Sequence, residues 1–70
     1  MPRQHRSYSV MDIADDGRAT VERFSAVDDQ EARKRAIMAA QGVSVALWQG
    51  EQIVARWVRQ GRSFRATTRA

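Results

Sequence analysis

The stretch from Val43 to Val58 constrains this chain more than any other, because it reads as a hairpin that is apolar on both sides. Successive side chains of a strand point to opposite faces. With a two-residue turn at Gly50-Glu51, Trp48, Ile53 and Trp57 share one face, and Val45, Leu47, Val54 and Val58 share the other. A sheet with two apolar faces needs two coverings. The chain has 70 residues and one helical segment, so it supplies only one of them. The second covering is expected to be another copy of the chain or a partner, with Trp48, Ile53 and Trp57 at the interface.

The strict register leaves one discord. It pairs Trp48 with Ile53 and Leu47 with Val54, and it sets Arg56 opposite Val45. A guanidinium on the otherwise apolar side must lie at an edge, extend toward water or find an acid.

At this length the chain is one domain, near the lower limit for folding without staples. It has no cysteine, hence no disulfide and no thiolate metal site. Idealised packing or oligomerisation is then the route to stability, and a homodimer is expected. No apolar run is long enough to span a bilayer, and no apolar segment of secretory type follows the N-terminal Met-Pro-Arg-Gln-His-Arg. Absent cysteine and absent signal both fit the cytoplasm.

The net charge of +4 is unevenly spread. Residues 11–31 carry seven acids and two arginines, whereas residues 56–70 carry five arginines and no acid. Eleven of the twelve basic residues are arginine, the side chain best suited to carboxylates, phosphates and aromatic faces.

Residues 1–6 read as a flexible basic arm. Ser7 to Ala14 reads as a strand, Asp16-Gly17 as a two-residue type I′ turn, and residues 19–26 as the returning strand. That register sets Ile13 opposite Thr20, Met11 opposite Glu22 and Ser9 opposite Phe24, and it leaves both faces mixed. Asp28 and Glu31 form a capping box for a helix whose stripe of Ala32, Ala36, Ala39 and Ala40 flanks Ile37. Gly42 is expected to end that helix in the left-handed conformation. Residues 43–49 and 52–58 form the second hairpin, and residues 59–70 read as an arginine-rich tail.

The expected fold is α+β, of ββαββ order, with one helix on a four-stranded sheet formed by residues 7–58. A right-handed crossover through the helix makes the second and third strands parallel neighbours or near-neighbours. The Asp-Gly hairpin, the Asp-led helix and the Leu-Trp-x-Gly hairpin of Leu47–Gly50 resemble short uncharacterised bacterial proteins of the same element order. The resemblance covers residues 8–58 and implies the fold. No activity and no functional residue come with it.

The chemistry legible in the residues is that of binding. Asp12, Asp15 and Asp16 do not match a calcium loop, because the alternating ligand spacing is absent and the sixth residue after Gly17 is Arg23. Turn formation accounts for Asp16-Gly17. His5 is the single histidine and lies in the basic arm, and the serines have no evident base. No catalytic residue, metal, cofactor or small-molecule ligand is expected. The leading expectation is a non-enzymatic interaction module that self-associates through its apolar sheet face or an edge strand. The alternative is a nucleic-acid-binding protein that uses Arg56, Arg59, Arg62, Phe64, Arg65 and Arg69. There, guanidinium groups neutralise phosphate and aromatic rings stack on unpaired bases.

Overall fold

Three glycine turns set the strand pairing. The computed structural model describes residues 5–67. Its elements are β1 (Arg6–Ile13), β2 (Ala19–Ala26), α1 (Asp29–Ala39), β3 (Ser44–Gln49), β4 (Gln52–Gln60) and β5 (Ser63–Ala66). They form one sheet of order β2-β1-β3-β4-β5, antiparallel at every step. The α+β class is as expected, and β2 and β3 are parallel near-neighbours flanking β1. The sheet, however, has five strands rather than four.

The extra strand comes from the segment read as a tail. Gly61 has φ 62, and Gln60 pairs with Ser63 around a two-residue Gly61-Arg62 loop. The turn repeats Gly50-Glu51, where Gly50 has φ 60 and Gln49 pairs with Gln52. Positive φ at the first central residue alone is the type II′ pattern, which glycine adopts without strain. β1 begins at Arg6, one residue earlier than expected and within the segment read as a basic arm; residues 1–4 of that segment lie outside the described residues.

The first hairpin also differs in register. Gly17 N–H donates to Ala14 O and Ala14 N–H to Arg18 O, each at 2.9 Å, so the loop has three residues. It is a type I turn closed by Gly17 in the left-handed region (φ 87). Asp16 holds the turn by accepting the Arg18 N–H at 2.9 Å. One residue of slip exchanges every side chain between faces. Tyr8 now pairs with Phe24 and Val10 with Glu22, while Met11 pairs with Val21 and Ile13 with Ala19.

The third departure is a β-bulge. Trp48 pairs with Ile53 as expected, but Leu47 pairs with Ala55 and Val45 with Trp57, leaving Val54 as the extra residue. Trp57 therefore joins Val45 and Leu47 on the helix side, where it is buried. Arg56 moves to the opposite face. The discord between Arg56 and Val45 disappears.

Asp28 caps α1 through its carboxylate, which accepts the Glu31 N–H at 2.8 Å. Ala32 and Ala36 are fully buried against the sheet. Small side chains let helix and sheet approach closely, so the core is Tyr8, Val10, Ala26, Ala32, Ala36, Val45, Leu47, Ala55 and Trp57. The helix does not end on a left-handed glycine. Ala40 turns extended at φ −68 and ψ 132, and Gly42 has no positive φ. Instead the Asp12 carboxylate accepts the N–H groups of Gln41 and Gly42, both at 2.8 Å.

Tyr8 ties the start of the helix to the sheet. Its hydroxyl donates to Asp29 Oδ1 at 2.6 Å, and its ring stacks on Phe24 with centroids 5.9 Å apart. Burial, then the Asp29 carboxylate, raises the Tyr8 pKa above its ordinary value of 10.0, against an opposing contribution from Arg6. A pKa raised by folding stabilises the fold below the ordinary value, and the contribution is lost as pH rises through the folded one. The stability difference between wild type and Tyr8→Phe should therefore shrink above about pH 10. Urea midpoints of the two proteins, compared in steps from neutral to strongly alkaline pH, check this. A constant difference would contradict it.

Candidate functional site

Among the described residues, the helix covers one side of the sheet and nothing covers the other. Cross-strand pairing defines what faces outward there. One row runs Ala19, Ile13, Ser44, Val58 and Arg65 across the sheet, the next Val21, Met11, Ala46 and Arg56, and a third Arg23, Ser9, Trp48 and Ile53. Met11, Ile13, Ala46 and Trp48 are half-buried by their neighbours, whereas Val21, Ile53 and Val58 are exposed. The centre of the face is thus apolar, with one indole, and its flanks carry arginine.

Acidic residues are kept off this face. The chain has eight acids, and none lies in these rows. Asp12 and Glu22 face the helix side with Val10. Asp15, Asp16 and Glu51 lie in turns, and Asp28, Asp29 and Glu31 surround the start of α1. Arg23, Arg56 and Arg65 face outward in rows that, among the described residues, hold no Asp or Glu.

Beside Trp48 the face is hydroxylic. Ser7, Tyr8, Ser9, Arg23, Phe24, Ser25 and Gly50 line an open depression of about 450 Å³, and Ser9 is the cross-strand neighbour of Trp48. Arg23 and Trp48 flank Ser9, two strand spacings or about 10 Å apart. A guanidinium and three hydroxyls offer donors suited to phosphate or sugar oxygens, next to a ring on which a planar group can stack. A smaller cleft of about 190 Å³, between α1 and the strands, is lined by Val10, Asp12, Thr20, Glu22, Ala36, Ala39, Ala40 and Gln41. Its Asp12 is already committed to the backbone of the connection after the helix.

The residues singled out in the sequence are only partly brought together. Trp48 and Ile53 meet on the open face, while Trp57 faces away from them. Arg56 and Arg65 join the face, and Arg62 projects from the turn before β5. Arg59 and Phe64 do not join it. The Arg59 Nε donates to Gly42 O at 2.9 Å, its guanidinium lies 4.4 Å from the centre of the Phe64 ring, and Phe64 packs against the core. These two brace β5 to the end of the helix. Arg69 lies outside the described residues. Sequence reading missed Arg23 and the serines, although Ser7 and Ser9 alternate with Tyr8 and Val10 as a polar face should.

Among the described residues no group of three or more His, Cys, Asp or Glu could hold a metal ion, and no helix is long and apolar enough to cross a membrane. Comparison with family models, with curated proteins and with solved structures gives no match.

Proposed function

We propose that this chain is a small non-enzymatic interaction module that binds single-stranded nucleic acid on its open sheet face. The observation that carries the reading is a face whose described rows hold no Asp or Glu, with Arg23 and Arg56 near Trp48 and Arg65 farther across it. Unpaired bases are planar and apolar, and each is tied to a negative phosphate. A ring with cations on its flanks complements both parts. The serine-lined depression beside Trp48 adds neutral donors for the backbone.

Mixed-sequence single-stranded DNA, titrated by fluorescence anisotropy, tests this. Three phosphates neutralised on a single strand give a salt slope of about −2, so affinity should fall roughly 20-fold between about 50 and 200 mM salt. Trp48→Ala should weaken binding at every salt concentration, by about 1–3 kcal/mol per base lost from stacking. Arg23→Ala or Arg65→Ala should flatten the salt slope.

A second reading, self-association through the same face, draws on the aliphatic centre of Met11, Ile13 and Val58. Packing two copies face to face would bring six arginines to one interface with no acid among them, which disfavours this occupant. A protein that ignores the oligonucleotide at low salt, yet dimerises until Trp48 is replaced, would establish the second reading in place of the first.

A further inference from the structure

The sheet has two edges, and they are not equally protected. β5 has four residues, and a short strand offers little template for pairing. β2 has eight, most of them exposed. In an antiparallel ladder alternate residues turn their backbone groups to the partner strand. The bond from Ala14 N–H to Arg18 O marks Arg18, Thr20, Glu22 and Phe24 as the residues that bond β1. Ala19, Val21, Arg23 and Ser25 therefore turn their N–H and C=O groups outward. Ser25 is an independent check, because its carbonyl is reached from outside by the Arg35 guanidinium at 2.6 Å. Arg35 blocks that end of the edge, and no other described residue covers Ala19 to Arg23.

The charges along this open length are self-complementary. An antiparallel copy of β2 with Thr20 opposite its own equivalent sets Arg18 opposite Glu22, twice by symmetry, and Ala19 opposite Val21. Neighbouring registers are worse. Moving the two-fold axis to Glu22 opposes two glutamates, and centring it on Val21 leaves Glu22 facing Thr20. Arg18 is available for the pairing, since its side chain is 82% exposed and meets Asp16 only at 3.9 Å. An exposed contact of that length contributes little.

We propose that two copies of the chain pair edge to edge along β2, in the register that sets Arg18 of each opposite Glu22 of the other. The product is a closed two-fold dimer with a continuous ten-stranded sheet, both helices on one side and both open faces on the other. Pairing uses backbone groups and the helix-side charges, so it is independent of whatever occupies the open face. That makes it separable from self-association through Trp48.

Sedimentation equilibrium of the full chain, from low micromolar to several hundred micromolar, should show a monomer–dimer equilibrium. Arg18→Glu replaces two attractive pairs by two repulsive ones and should weaken the dimer roughly tenfold or more. The double variant Arg18→Glu/Glu22→Arg should restore it. Val21→Pro removes an outward N–H while keeping the bonds to β1, as proline on an edge strand permits, and should also abolish the dimer, whereas Val21→Thr should not. A wild-type protein that stays monomeric throughout overturns the proposal. So does a dimer that survives Arg18→Glu and Val21→Pro but dissociates on Trp48→Ala.

Discussion

Replacing Gly42 by alanine is expected to destabilise the fold by about 3 kcal/mol or more, because there is no room for one additional carbon. A Cβ there would lie 2.3 Å from Ile13 O and 2.4 Å from Asp12 Oδ1. The first neighbour is backbone at the end of β1, an interior strand of the sheet. The second is the carboxylate that accepts the Gln41 and Gly42 N–H groups. Relief by movement would also stretch the Val43 N–H bond to Ile13 O (2.7 Å) and the Arg59 Nε bond to Gly42 O (2.9 Å). A domain of this size has about 3.5–10 kcal/mol in total, so the variant should melt at least about 12 °C lower or lose its cooperative transition. Gly17→Ala is the control. It places a side chain at φ 87 with nothing nearby, and should cost only the roughly 1–2 kcal/mol of left-handed strain. Equal melting temperatures for Gly42→Ala and wild type would show that the connection after the helix is not held by this contact.

Gly42 also shows what was legible in the sequence and what was not. A glycine between an alanine stripe and a valine strand marks the boundary correctly, but two physical reasons put glycine at such a point. Conformational freedom is local and can be read from spacing. Close approach depends on Asp12 and Ile13, some thirty positions away, and no pattern near Gly42 records it. The capped helix start, the parallel relation of β2 to β3 and the Gly50 turn were legible because each follows from neighbouring residues.

The register errors have a common origin. Strand alternation has period two, so a single extra residue inverts every assignment beyond it. In the first hairpin, the mixed faces produced by a two-residue loop were the sign that the loop has three. In the second, Arg56 opposite Val45 was the sign of the bulge at Val54. β5 escaped because Phe64 is its one large apolar residue, although Gln60-Gly61-Arg62-Ser63 repeats the turn pattern of Gln49-Gly50-Glu51-Gln52. On the candidate face, Trp48 and Ile53 were legible. Arg23 was not, since its place beside Ser9 depends on the first hairpin's register.

The two tryptophans should separate cleanly, although the strict register treats them alike. Trp57 is only 8% exposed and packs with Val45, Leu47 and Ala55, so Trp57→Ala should cost about 3–5 kcal/mol, comparable with the whole stability of the domain. Trp48 is half-buried on the open face, and its loss should cost no more than a cross-strand pair, about 1 kcal/mol. Binding should run in the opposite sense. At a temperature where both variants remain folded, Trp48→Ala should lose affinity for single-stranded DNA. A conservative Trp57→Phe, which keeps an aromatic ring in the core, should retain it. Urea denaturation of each variant, set beside its anisotropy titration, reads both quantities. If Trp48 proves the costlier residue for folding, the bulge is misplaced and the open face belongs to Trp57. If neither substitution changes binding, the indole is not a stacking platform, and the arginines alone would account for any affinity that remains.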